Sequence, residues 1–247
     1  MAKKVAKFCE RLKAFFKKYL FNPTWRCASC GREIFEDEYF CKDCYKALPF
    51  NSGVICDHCG RQTIASENYC STCKNVLVSL DKCRSVFNYE GKIAFLIKQA
   101  KYENKKYLLD YFASELTALY KNQSFTADIV ACVPMTRKSL KKRGYNQSKI
   151  LAQTFAKNCN LPFIDCLVKE KETSRQATLS RQERRKNLQG VFRVAKRKEV
   201  KDKSVLLIDD VTTTGSTAEI IAKRLKGAGA KAVYLLTIAS VPPIDKY

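Results

Sequence analysis

The run Val205-Leu206-Leu207-Ile208-Asp209-Asp210-Val211-Thr212-Thr213-Thr214-Gly215-Ser216-Thr217 sets an apolar strand, two carboxylates and a hydroxyl-rich loop in immediate succession. Four consecutive aliphatic residues predict a buried strand of the parallel type, ending in the carboxylates. A helix is expected from Ser216, and its free N–H groups and positive dipole end form a phosphate cradle. Thr213, Thr214, Ser216 and Thr217 add hydroxyl donors, and Gly215 lets the backbone approach a ligand closely. Asp209 and Asp210 suit sugar hydroxyls, directly or through Mg²⁺, better than phosphate itself. Cradle and acid pair together describe a phosphorylated-sugar site at the C-terminal edge of a parallel sheet. The run is neither a G-x-x-x-x-G-K loop nor a dinucleotide G-x-G-x-x-G loop.

The flanking sequence supplies that sheet. Strands are expected over Cys83–Tyr89, Asp128–Val133, Phe163–Val168, Ser204–Ile208 and Lys231–Ala239. Helices are expected over Lys92–Ala100, Tyr107–Tyr120, Gln147–Lys157 and Ser216–Lys226, the last stopped by Gly227-Ala228-Gly229. Strands alternating with helices imply β-α-β units and a parallel sheet flanked by helices. The polar stretch 169–203 carries Arg175, Arg181, Arg184, Arg185 and Lys186. A connection that long inside a compact domain is usually functional.

Ahead of the sheet lies a cysteine module. Eight of the 13 cysteines form four C-x-x-C units: Cys27/Cys30, Cys41/Cys44, Cys56/Cys59 and Cys70/Cys73. The second four repeat the first four, as Cys59-Gly60-Arg61 repeats Cys30-Gly31-Arg32. Each knuckle turns two thiolates toward one point, and two knuckles complete the tetrahedron Zn²⁺ favours. Two structural zinc sites are expected, with no position open for water. Pairing within each repeat is the simpler arrangement; the spacing leaves open a cross-braced one, first knuckle with third. So short a segment has too little core to fold alone, and metal supplies the missing free energy. Cys132 and Cys166 read as core thiols. His58, the one histidine, reads as a solvent-facing spacer inside a knuckle, and a single histidine there leaves Ser-His-Asp and Cys-His catalysis without support.

The acid-pair run resembles the phosphoribosyl pyrophosphate (PRPP) loop of type I phosphoribosyltransferases. Two further stretches narrow the resemblance. Val133-Pro134-Met135-Thr136-Arg137-Lys138, continuing to Lys142-Arg143-Gly144-Tyr145-Asn146-Gln147, looks like the P-V-P…R-G-[FY]-N-Q segment of the ComF family. Thr173-Ser174-Arg175-Gln176, Leu179-Ser180-Arg181, Arg184-Arg185 and Asn187-Leu188 look like that family's T-x-x-Q-x-x-L-S-R-x-x-R-x-x-N loop. The resemblance implies an α/β, type I phosphoribosyltransferase-like fold behind a zinc-ribbon module with four-cysteine sites. With the basic amphipathic helix that the apolar stripe near the N-terminus predicts over 1–24, three parts are expected: that helix, 25–80 a double zinc ribbon, and 81–247 the phosphoribosyltransferase-like domain. Asp209 and Asp210 would hold the ribose diol, and Thr213, Thr214, Gly215, Ser216 and Thr217 the 5-phosphate. Arg137, Lys138, Arg143, Arg175 and Arg181 would attend the pyrophosphate. If the pocket turns over, the reaction is pentosyl transfer from PRPP with Mg²⁺.

Charge bears on partners. The 247 residues hold 46 Lys and Arg against 24 Asp and Glu, a net +22. Each four-thiolate zinc site contributes −2, so two sites leave +18, still enough to seek a polyanion. Two readings compete. In one, the chain is a competence protein that handles single-stranded DNA, with a competence helicase or the inner-membrane uptake machinery as partners. In the other it is a nucleotide salvage or biosynthetic transferase, with the zinc module as a hood over the acceptor. For the first, Arg143 beside Tyr145 is a candidate contact, as are Arg184 and Arg185 near Phe192. The stripe Val5, Phe8, Leu12, Phe15, Phe16, Tyr19 and Leu20, set among lysines, suits either an anionic membrane surface or docking on the zinc module. No apolar run approaches the roughly 20 residues of a membrane span, and no secretory-signal pattern opens the chain. The expected place is the cytoplasm, with peripheral contact at the inner face of the membrane.

Overall fold

The structure, a computed structural model, describes residues 26–34, 39–63, 69–70, 73–74, 79–171 and 190–242. The helix expected within 1–24, and Arg175, Arg181, Arg184 and Arg185, lie outside the described residues. The chain forms two compact units, 1–48 and 49–247.

In the first unit Cys27 and Cys30 bracket a tight turn closed by Gly31 N–H on Cys27 O at 2.8 Å and by Cys27 N–H on Arg32 O at 2.8 Å. Helix α1 (Lys42–Lys46) follows Cys41. The second unit repeats the turn: Gly60 N–H reaches Cys56 O and Cys56 N–H reaches Arg61 O, both at 2.9 Å. There the knuckle is packed on the start of the sheet, where Cys83 N–H donates to Asp57 O at 2.7 Å.

The sheet follows from the apolar runs. In chain order its elements are β1 (Lys82–Asn88), α2 (Gly91–Tyr102), α3 (Tyr107–Lys121), β2 (Ile129–Cys132), α4 (Arg137–Arg143), α5 (Gln147–Asn158), β3 (Leu167–Lys169), β4 (Phe192–Val194), α6 (Arg197–Val200), β5 (Ser204–Thr212), α7 (Ser216–Lys226) and β6 (Ala232–Ser240). Four strands run in the order β1-β6-β5-β2, every pair parallel. Val205 and Leu207 of β5 share a core cluster with Ala218, Ile221, Ala222 and Leu225 of α7. By strand alternation Leu206 and Ile208 face the opposite side, where α5 packs on β5, β2 and α3. Tyr120 of α3 and Phe155 of α5 meet edge to face at 5.4 Å between centroids there.

Three expectations are corrected. Strand β5 does not end at its carboxylates: Val211 and Thr212 still pair with Ala239 and Ser240, because β6 is equally long. The strand expected over Phe163–Val168 is broken. Phe163 makes one parallel bridge to Val130, and β3 then turns away to pair antiparallel with β4. Between them Asp165 faces out to Lys149, 2.6 Å away, and a charged residue there cannot continue a buried strand. The basic stretch after Pro134, absent from the expected helices, forms α4. Thr136 Oγ1 accepts the Ser139 N–H at 3.1 Å, and Gly144 closes the helix at φ 83°. Among the described residues no helix is long and apolar enough to cross a membrane.

Gly60 sits at φ +69°, and a β-carbon there would stand 2.7 Å from the Cys83 sulfur. Gly60→Ala should therefore cost about 2 kcal/mol or more, through left-handed strain and overpacking together. The readout is a lower urea midpoint for the 49–247 unit. Gly31→Ala, where the added carbon meets nothing within 4 Å, should leave that midpoint in place.

Candidate functional site

The acid pair is held from two helices. Gln147 and Ser148 open α5, after Asn146 caps it by accepting the Ser148 and Lys149 N–H groups. Ser148 Oγ donates to Asp209 Oδ1 at 2.8 Å, and the Asp210 N–H donates to the same oxygen at 2.9 Å. Gln147 Nε2 donates to Asp210 Oδ2. Lys101, from the last turn of α2, places its ammonium 2.9 Å from that oxygen. Burial disfavours the Lys101 charge, yet the carboxylate of Asp210 more than offsets this and raises its pKa. The Asp209 carboxyl is pushed up to about 7, first by desolvation and second by the neighbouring charge of Asp210.

The hydroxyl loop lies at the head of α7. Gly215 takes the left-handed conformation at φ 72° and offers the helix no side-chain cap. The first amides of an 11-residue helix are thus left for an anion. Asp209, Val211 and Thr212 through Ala218 line a cleft of about 50 Å³. Thr214 Oγ1 and Ser216 Oγ are 2.8 Å apart within it. Thr212 is 5% exposed, and its Oγ1 finds no partner among the described residues. A buried hydroxyl without a partner on a cleft wall fits a site awaiting a polar ligand.

The structure separates the basic residues expected around the pyrophosphate. Arg143 joins the acid pair, since its Nη1 donates to Gln147 Oε1 at 2.6 Å. Arg137 and Lys138 instead line a larger cleft of about 830 Å³, shared with Lys149, Asp165, Lys169 and Arg193. Lys101, Gln147 and Ser148 lie outside the acid-pair run, and Thr212 lies within it beside the hydroxyls expected to face a ligand. Lys101 was detectable, because it follows Ile93 and Ile97 at helical spacing on a buried stripe, where a lysine needs an anionic partner.

Each cysteine repeat gathers its own four sulfurs. Cys27, Cys30, Cys41 and Cys44 form one group and Cys56, Cys59, Cys70 and Cys73 the other, so the cross-braced alternative is excluded. Four sulfurs at about 2.3 Å from a tetrahedral zinc stand about 3.8 Å apart. Cys30 and Cys41 are 3.9 Å apart, and Cys59 and Cys70 are 3.8 Å apart. Both groups fit zinc. Cys132 and Cys166 are core thiols, pushed up by burial to about 12 and about 11.

His58 is not a solvent-facing spacer. It is 3% exposed, with Nε2 3.8 Å from Glu219 Oε2. Glu219 lies in the first turn of α7 and accepts the N–H of Ser79 at 2.7 Å and of Leu80 at 3.3 Å. The second ribbon is therefore packed against the helix that carries the hydroxyl loop, and this packing buries the imidazole.

Protein purified without chelator should carry two zinc ions per chain by metal analysis. Cys59→Ala should leave one and lower the urea midpoint of the 49–247 unit. Cys41→Ala should also leave one, with that midpoint unmoved.

Asp209 also carries a pH signature. Its folded pKa of about 7 lies above the ordinary 3.8, so the folded chain keeps a proton the unfolded chain gives up. This contribution to stability is fully present below about pH 4 and is lost as pH rises to about 7. Melting temperatures of Asp209→Asn should show a shallower decline across that window than the parent protein.

Comparison with known proteins fits this geometry. Residues 17–74 match the double zinc ribbon domain, and residues 113–245 match the phosphoribosyl transferase domain. Competence protein F of Haemophilus influenzae is 30% identical over 168 residues, covering 65% of this chain and 73% of that protein. The DNA utilization protein YhgH of Escherichia coli K12 is 29% identical over 159 residues, 60% of this chain and 67% of that one. Competence protein ComFC of Bacillus subtilis is 24% identical over 153 residues, 60% of each. Among solved structures, the glutamine PRPP amidotransferase from B. subtilis is 23% identical with a TM-score of 0.37, covering 53% of this chain and 26% of that chain. With a double zinc ribbon ahead of a phosphoribosyltransferase domain, and with those competence proteins as relatives, the chain belongs to the ComF family.

Proposed function

We propose that the chain is a ComF-type competence protein that binds PRPP with Mg²⁺ and handles single-stranded DNA during natural transformation. The observation that carries the pocket is the uncapped start of α7, lined by the partnerless Thr212 hydroxyl and standing beside the acid pair. Asp209 and Asp210 hold the ribose diol, and Thr213 through Thr217, with Thr212, hold the 5-phosphate. Arg143 faces the pyrophosphate, with Arg175 and Arg181 as further cations. Asp209 and Asp210 would hold the Mg²⁺ that accompanies PRPP, which would supply positive charge against the pyrophosphate. If transfer occurs, the bond between the ribose anomeric carbon and pyrophosphate breaks. Ribose passes through an oxocarbenium-like state, and a nitrogen nucleophile forms the new bond. The DNA role draws on relatives named competence and DNA utilization proteins, and on the net +22. The reading places the protein in the cytoplasm, at the inner face of the membrane, beside a competence helicase or the uptake machinery. Eight thiols held for metal fit a reducing compartment. The three-part division at residues 24 and 80 belongs to the same reading.

PRPP with Mg²⁺ should raise the melting temperature, since a ligand at 100 times its Kd adds about 2.7 kcal/mol. Asp209→Asn with Asp210→Asn should abolish the shift. Thr212→Val deletes an unsatisfied buried hydroxyl, so it should leave ligand-free melting unchanged or higher while shrinking the shift. A full shift in the double variant would refute the assignment. Steady turnover of a free base would favour the salvage enzyme instead.

A further inference from the structure

Helix α4 reads Arg-Lys-Ser-Leu-Lys-Lys-Arg, five cations in seven residues with no acid and no buried residue. Among the described residues Arg137, Lys138, Lys141 and Lys142 are exposed and meet no carboxylate within ion-pair distance. Its last residue, Arg143, turns back onto α2. There the guanidinium carbon sits 5.0 Å from the ring centre of Tyr102, and Nη2 lies 3.4 Å from the Tyr102 hydroxyl. Tyr102 is 71% exposed, the most exposed large aromatic among the described residues. At the same helix end Tyr145 donates its hydroxyl to Ala100 O, which fixes the ring, and Lys106 Nζ lies 4.7 Å from that ring's centre.

The next most open aromatic among the described residues, Phe95, is only 49% exposed, and the guanidinium covers only one face of Tyr102. A largely exposed aromatic ring that touches the last residue of a cationic helix recognises a planar base joined to phosphates. A duplex hides its base faces, so the chemistry selects a single strand. We infer that Tyr102, with Tyr145, Lys106 and the cations of α4, forms the surface on which single-stranded nucleic acid lies. The inference rests on the competence reading above and names the surface that reading needs. This surface is physically joined to the acid pair: Arg143 touches Tyr102 and also Gln147, which donates to Asp210.

The test uses the full chain, its zinc retained, and a fluorescein-labelled oligothymidylate read by anisotropy. Tyr102→Ala should weaken binding about ten-fold, the range of one lost base stack. Tyr102→Phe, which keeps the ring, should bind like the parent. Lys141→Ala with Lys142→Ala should flatten the slope of log K against log salt by about 1.4, at about 0.7 per phosphate contact. Lys198→Ala with Lys223→Ala removes the same charge elsewhere and should change the slope far less. Equal losses in both lysine pairs, or parental affinity in Tyr102→Ala, would overturn this surface while leaving the DNA reading intact. No binding by the parent protein at low salt would defeat the DNA reading itself. Vesicles of phosphatidylserine whose binding falls in these variants, with oligonucleotide binding unchanged, would assign the surface to a membrane instead.

Discussion

The buried charge pair between Lys101 and Asp210 ties the structure together around its site. Neither group can stay charged at such low exposure without a partner, and removing one member of such a pair typically costs about 3–5 kcal/mol. Meeting that demand brings three elements to one point: the end of α2, the start of α5 and the final residues of β5. Gln147 completes the arrangement by accepting from Arg143 and donating to Asp210. The acid pair is thus set in place before any ligand arrives, as an efficient binding site requires. Asp209 is held differently, by a hydroxyl and a backbone amide rather than a cation. Burial and the neighbouring Asp210 charge push its carboxyl up to about 7 against those two donors, while Asp210 keeps its ammonium partner.

Much of this was legible in the sequence, and the exceptions have physical causes. The buried run Val205–Ile208, the hydroxyl loop and the helix from Ser216 to Lys226 are local signals, and each appears where periodicity puts it. The cysteine repeat is equally local, because a knuckle is defined within a few residues. What failed depended on neighbours distant in sequence. Whether β5 stops at Ile208 or runs to Thr212 is decided by the length of β6. The burial of His58 is decided by Glu219, far along the chain. Helix α4 was hidden for another reason: without an apolar face it has no periodicity, and only its capping residues mark it.

Helix α7 carries two loads. Its first amides open onto the hydroxyl loop, and one turn later Glu219 receives the chain leaving the second zinc group. The Glu219 N–H itself donates to Gly215 O at 2.9 Å, inside the loop. Loop, helix and metal group therefore share one rigid turn, so the second ribbon acts as part of the wall behind the site.

The strand order sets how the chain acquires its fold. Ser85 of β1 and Thr237 of β6 touch although they stand 152 positions apart in the sequence, and β6 also separates β1 from β5. The sheet cannot close until β6 exists, however early β1 has left the ribosome. Contacts this distant make folding slow, since the loop-closure entropy is lost before the pairing gains anything. Until then β1, with its apolar Val86 and Phe87, is an unpaired edge of the kind that invites aggregation. The Cys56–Cys73 group precedes β1 and needs no residue beyond itself to bind metal. Metal captured during synthesis would give that waiting strand an ordered neighbour for as long as translation lasts.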